Sequence, residues 1–311
     1  MKIAIKLVFM VAMIGLLFSY IGIEKFTANF QRIHGGWFVA ALLCTPIVVL
    51  ISSRKWYEII QAEAKGLTYG EAVLAFLGGT FFGLFTPGRL GEFGKIALVR
   101  QGRLRILSGI ALLDRMLDVE ILVIMATVGV YVIFGPLAFG AISGIALLGA
   151  WLILSRRLKE VFLKPVLLVS PFKDKVAGFM EGVTLVPAKT LCKCAALRLT
   201  ACTIDLLQFY WIANSFESVK LFDIAAVYPL IILTNLIPLT IGGIGIREAM
   251  SMYTLSYFQV SPETAVSASF LLFVINTFIP GLAGAAVIAR YGISIRSGSQ
   301  APVLSSPQVV K

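Results

Sequence analysis

The chain alternates long apolar stretches with short basic connections. Six stretches reach or approach the roughly 20 residues needed to cross a hydrocarbon core: Leu7 to Ile23, Trp37 to Ser53, Leu107 to Phe134, Pro136 to Leu154, Cys194 to Phe216 and Pro262 to Ala289. Two more apolar regions are broken internally. Thr68 to Val99 contains Pro87-Gly88-Arg89-Leu90-Gly91-Glu92, and Asp223 to Val260 contains Gly242-Gly243-Ile244-Gly245-Ile246-Arg247-Glu248 after Pro238. The arm from Tyr69 to Gly83 would rise only about 22 Å as a helix, short of the roughly 30 Å core. The pattern therefore predicts an all-α polytopic membrane protein with about six full transmembrane helices plus two re-entrant hairpins.

The distribution of Lys and Arg sets the expected orientation. With the N-terminus inside and both broken regions returning to their starting side, 20 of the 27 basic residues fall on cytoplasmic segments. Lys25, Arg32 and Lys220 fall outside, and Arg89, Arg115, Arg198 and Arg247 lie at membrane depth. A full crossing by the first broken region would put Arg100, Arg103 and Arg105 outside, against the positive-inside bias. Both termini are then cytoplasmic, in an inner membrane. The halves read as an inverted repeat, with repeat one over 1–134 and repeat two over 136–290. Residues 1–290 would form one transmembrane domain, and the alternative is two unrelated kinked helices in an irregular bundle.

Composition supports this class: 59% of residues are hydrophobic and 14% charged, and mean hydropathy is +0.92. The net charge of +11 is spread over short loops, without the basic face of a nucleic-acid binder, so no nucleic-acid partner is expected. Leu7 to Ile23 follows Lys2 and Lys6 like a leader but runs long and is read as an uncleaved span. The basic linker 156–193 carries Phe172, Val176, Phe179, Met180 and Val183 at helical spacing, as an amphipathic helix on the inner leaflet would. The tail 291–311, rich in Ser, Gly and Pro, reads as disordered. Gly140 and Gly144 suggest a close helix contact. Trp37, Trp56, Tyr57 and Tyr69 read as interfacial anchors, and His34 as a solvated loop residue. The four cysteines lack zinc or redox spacing and are expected to be free thiols; no metal or cofactor is expected.

The charges within apolar regions carry the functional signal: Arg89, Glu92, Lys95, Asp114, Arg115, Asp118, Glu120, Arg198, Asp205, Arg247 and Glu248. At about 3 kcal/mol each on insertion scales, half of them facing lipid would cost on the order of 15 kcal/mol. They must face one another, water or a ligand. Asp114 and Asp118 share a helical face, with Arg115 placed to pair within the group. Arg198 and Asp205 share a face of the fifth span and are secondary site candidates. For Asp205, Glu120 and Lys95 interhelical ion pairing is an equal alternative. Arg89 and Arg247 each follow a Pro-Gly break, where half-helix N–H groups beside Gly88 and Gly243 can converge with a guanidinium on an anion such as phosphate. Glu92 and Glu248 would orient those arginines or titrate.

Pro87-Gly88-Arg89-x-Gly91-Glu92, Leu113-Asp114-Arg115-Met116-Leu117-Asp118 and Gly242-Gly243-x-Gly245-x-Arg247-Glu248, in that order and spacing, resemble the lysylphosphatidylglycerol synthase transmembrane-region family, also called flippase-like integral membrane proteins. The resemblance spans roughly Lys6 to Arg290. It implies a bacterial or archaeal cytoplasmic-membrane protein that moves a phosphate-bearing lipid, either an anionic or aminoacylated phospholipid or a lipid-linked sugar. It also implies a glycosyltransferase or lipid synthase as a candidate partner, and an oligomer is compatible with it. The synthases continue into a soluble aminoacyl-transferase domain, whereas this sequence has only a short tail, so a stand-alone, non-enzymatic unit is expected. The alternatives are a secondary transporter of a soluble anion and a membrane partner of a separate transferase.

Overall fold

The computed structural model describes residues 33–161, 173–240 and 242–291, with positions 15 and 24. The predicted span Leu7 to Ile23, Phe172 and the tail from Gly292 lie outside the described residues. Within them every regular element is helical and no strand occurs. Helices α1 (Gly35–Ile60), α3 (Leu104–Phe134) and α4 (Pro136–Leu154) are each long and apolar enough to cross a membrane, as is the continuous helical stretch from Pro262 to Arg290. That stretch comprises α9 (Pro262–Phe273), a π-helical turn (Val274–Phe278) and α10 (Ile279–Tyr291). Between α4 and α9 lie α5 (Lys173–Leu185), α6 (Ala188–Asn214), α7 (Leu221–Leu233) and α8 (Ile246–Ser256). Helix α6, at 27 residues, is about 40 Å long but bears Lys189, Lys193, Arg198 and Asp205.

Local chemistry explains the boundaries. Thr68 opens α2 (Tyr69–Leu84) with a capping box, its hydroxyl accepting from the Glu71 N–H while Glu71 accepts from the Thr68 N–H. Pro136 occupies the first turn of α4, and Gly135 before it sits at φ 83°, so one short turn reverses the chain after α3. Ser261 caps α9 ahead of Pro262. Large apolar side chains face outward, among them Leu137, Leu147 and Leu43, forming the belt of a protein solvated by lipid.

The contacts sort the loops into two ends. At one, a methyl group on Gly66 would meet Gln101, Arg103 binds Glu63 and Glu181, and the Cys194 thiol lies 3.7 Å from the Lys55 carbonyl oxygen. Burial works to raise the Glu63 carboxyl, yet hydrogen bonds from the Arg103 side chain and backbone hold it below the ordinary glutamate value. At the other end the His34 N–H donates to the Ser215 carbonyl at 3.0 Å, and the Ser261 hydroxyl donates to Glu217 at 2.6 Å. The segment from α2 through a 3₁₀ helix (Leu90–Leu98) leaves from and returns to the first end. Residues 221–256 leave from and return to the second.

Each returning arm packs closely on its partner. A methyl group at Gly91 would lie 2.1 Å from the Phe82 carbonyl oxygen, and one at Gly79 would lie 2.8 Å from Lys95 Cβ, so the 3₁₀ helix runs antiparallel along α2 at backbone contact. The two tips touch. A methyl group at Gly88 (φ 61°) would lie 3.3 Å from the Leu236 carbonyl oxygen, and one at Gly242 (φ 66°) equally close to that of Leu84. Glycine is required there both for the left-handed backbone and for the approach.

Several expectations change. Helix α1 continues past Ser53 to Ile60, which buries Trp56 completely instead of leaving it at an interface. Helix α5 packs through Gly182 and Phe179 against Gly109 of α3, with Met180 and Val183 buried, so its apolar face meets protein as well as any leaflet. Gly140 and Gly144 contact nothing within 4 Å of an added methyl and face outward from α4.

Candidate functional site

Two apolar clusters hold the helices, one around Trp56, Ile106 and Leu113 and one around Phe209, Val227 and Leu255. Helix α1 runs through both, with Ala41 in the second cluster and Trp56 in the first, about 22 Å apart along the helix. Between them its Val48 and Ser52 line a cavity of about 120 Å³. Arg89 reaches this cavity from the first tip, Arg247 from the first turn of α8, and Arg198 and Asp205 from α6. Tyr228, Asn235, Asn276 and Thr277 complete its polar wall. A second cavity of about 200 Å³, sharing Arg89, is lined by Gly88, Glu92, Lys95, Asp114, Arg115 and Asp118.

Charge pairing fixes these side chains. Lys55 binds Asp114 at 2.8 Å and also Asp118; Lys95 binds Asp114 at 2.5 Å. Arg198 lies 3.2 Å from Asp118. Glu92 bridges Arg89 at 2.6 Å and Arg115 at 3.0 Å. Arg115 thus pairs across to the 3₁₀ helix and not with its helical neighbours Asp114 and Asp118, because the 3₁₀ helix carries Glu92 back against α3. Arg247 binds Glu248 and donates to Ser269 Oγ at 3.1 Å, with its guanidinium 4.9 Å from the Phe273 ring centre. Six cations (Lys55, Arg89, Lys95, Arg115, Arg198, Arg247) surround five carboxylates (Glu92, Asp114, Asp118, Asp205, Glu248), which leaves an excess positive charge. A buried excess charge favours an anion.

The expected half-helix N–H site is modified at the second break. Glu248 accepts the Gly245 N–H at 2.7 Å, filling part of the N-terminus of α8 with the chain's own carboxylate. At the first break Arg89 itself takes the left-handed conformation (φ 56°) at the start of the 3₁₀ helix. The anion-attracting elements are therefore chiefly the guanidiniums. Gly243 packs on Asn235, where a methyl would lie 2.3 Å from Oδ1, and lines neither cavity.

Lys95 joins an ion pair; among the described residues Glu120 and Asp205 find no cation at ion-pair distance. Glu120 is buried against Gly149 of α4, where its Oε1 lacks a hydrogen-bond partner. Asp205 accepts from Asn276 Nδ2 at 3.0 Å and lines the cavity beside Tyr228. Asn276 also donates to Gln208 at 3.0 Å, and Gln208 donates to the Ala41 carbonyl at 2.8 Å, one turn before Pro46 within α1. Sequence reasoning missed Lys55, Asn276, Gln208, Asn235 and Tyr228. The available signal was polarity within apolar stretches, which a search restricted to charge overlooks for the amides. Lys55 lies two residues beyond the expected span, which ends at Ser53, and α1 carries it into the cluster.

A comparison with curated proteins yields no match. A family model does match, and it covers 3–284, a range that contains both broken segments, the Asp114-Arg115-Asp118 run and every side chain around the two cavities. On that match the three ordered motifs and the helices that bring them together identify a multi-pass membrane protein belonging to the lysylphosphatidylglycerol synthase TM region family.

Proposed function

We propose that the protein moves a phosphate-bearing lipid, an anionic or aminoacylated phospholipid or a lipid-linked sugar, between the leaflets of the membrane without modifying it. The observation that carries this reading is the meeting of Arg89, Arg198 and Arg247, from three separate parts of the chain, on one cavity where the two tips touch. A phosphate there would face up to three guanidiniums, which suit its oxygens in geometry and charge. The headgroup enters this polar cavity while the acyl or prenyl chains stay in lipid. Glu92, Asp118 and Glu248 pair with these arginines and help to position them.

In this reading the two returning segments are re-entrant hairpins that enter from opposite faces, and the halves form an inverted repeat that rocks about the shared site. The described end bearing Lys65, Arg103, Lys189 and Lys193 is cytoplasmic, by the excess of basic residues over the other end. Family membership ties the chain to lipid modification or flipping, which favours a lipid over a soluble anion, and a separate transferase is a candidate partner. Liposomes containing the purified protein should exchange a labelled anionic phospholipid or lipid-linked sugar between leaflets. Exchange should fall at least tenfold in Arg89→Ala and in Arg247→Ala. Exchange unchanged in both variants, or uptake of inorganic phosphate without lipid exchange, would overturn the assignment.

A further inference from the structure

Asp205 is the carboxylate of the cluster that no cation neutralises at contact distance. Arg89, Arg198 and Arg247 each pair with another carboxylate, Glu92 (shared with Arg115), Asp118 (shared with Lys55) and Glu248. Among the described residues no lysine or arginine nitrogen comes within 4.0 Å of Asp205, although it is 8% exposed and lines the same cavity as the three arginines. The groups facing it come from every neighbouring element: Arg198 and Cys202 on α6, Tyr228 on α7, Arg89 at the first tip, Arg247 on α8 and the neutral Asn276 in the π turn. Asn276 donates to it at 3.0 Å, which holds the carboxyl in place.

The cavity holds about 120 Å³, the share of about four water molecules. An anion in so small a cavity lies close to the carboxyl group that lines it. At a separation of about 5 Å, with the effective dielectric of a partly polar interior, two negative charges weaken binding on the order of a hundredfold. Protonating Asp205 removes that repulsion and converts an acceptor into an O–H donor aimed at the same space. We propose that Asp205 is a proton site linked to the anion cavity, so that the phosphate group and one proton, taken from the adjoining water, are bound together and released together. The proposal rests on reading the cavity as an anion site. Its consequence is that translocation is coupled to the proton gradient, and the coupling residue is Asp205 and not the paired carboxylates Glu92, Asp114, Asp118 and Glu248. A π turn at Asn276, against the carboxyl, supplies a helix segment that can shift when Asp205 changes charge.

The test uses the purified full chain in detergent with two phosphodiester probes that do not titrate near neutrality: dimethyl phosphate, and dihexanoyl phosphatidylglycerol as the lipid form. Binding is followed by calorimetry, and proton uptake in weakly buffered solution by a pH indicator. For either probe, wild type should take up a proton fraction approaching one per anion bound, and affinity should fall by up to tenfold per pH unit above the titration of Asp205. Asp205→Asn should bind with no uptake and a flat pH profile. Binding of both probes by wild type without proton uptake from about pH 5 to 9 overturns the proposal, and this measurement needs no variant. Uptake that persists in Asp205→Asn overturns it as well, by placing the proton elsewhere. No binding of either probe to wild type removes the anion-site reading and the proposal together. Uptake with the lipid probe alone supports the proposal and assigns the site to lipid headgroups.

Discussion

Lys55 shows how much one side chain contributes when its charge is buried. It is 4% exposed, it bridges Asp114 and Asp118, and Asp114 is itself 2% exposed. Removing Lys55 takes a cation from two carboxylates at once, but Asp114 keeps Lys95 and Asp118 keeps Arg198, so the cost stays at or below the low end, about 3 kcal/mol, of a fully broken buried pair. Lys55→Met should lower stability by up to that amount in denaturant or thermal unfolding followed in detergent. Lys95→Met should cost less, since the Lys95 side chain is 13% exposed and Asp114 then keeps Lys55. Equal losses would mean that burial does not set the difference. The motifs foretold that Asp114, Asp118, Arg115 and Glu92 share a site, but not their partners. Periodicity places residues on one helix face; it does not say which other helix arrives there.

At the scale of elements, glycines decide how close the helices come. A methyl group at Gly129 of α3 would lie 1.9 Å from the Ala226 carbonyl oxygen of α7, a backbone atom that cannot rotate away. Gly129→Ala should therefore push α3 from α7 and lower stability by about 1–3 kcal/mol. Gly140→Ala, on the outward face of α4, should change it by less than about 0.5 kcal/mol. The same unfolding assay compares the two, and a large loss at Gly140 would show that this face is packed after all. The sequence pattern alone favoured Gly140 as the packing glycine, because GxxxG is a local motif. The glycines that matter instead sit singly opposite another backbone. Element boundaries were more legible: Pro136 to Leu154 and the short arm ending near Gly83 match the helices to within a residue. Helix α1 ran past its expected end because nothing in Arg54-Lys55-Trp56 breaks a helix and Lys55 found carboxylates to face.

For the whole molecule, the topology follows from the ends at which segments meet. If the proposed orientation holds, single cysteines at Lys65 and Lys189 should react with an impermeant thiol reagent only from the cytoplasmic face, and one at Lys220 only from the other. Leu84 and Gly243, at the touching tips, should resist reagent from both sides in a background lacking the native cysteines. Full labelling at Leu84 from the outer face would exclude a hairpin entering from inside. The sequence by itself determined the membrane class and the two broken segments, because length and hydropathy are properties of a chain read one segment at a time. Only the tertiary structure decided that the tips touch, that Arg89, Arg198 and Arg247 share one cavity, and that among the described residues no cation there contacts Asp205. Those facts depend on distances between residues far apart in the chain, which packing of small residues across helices sets and no local pattern encodes.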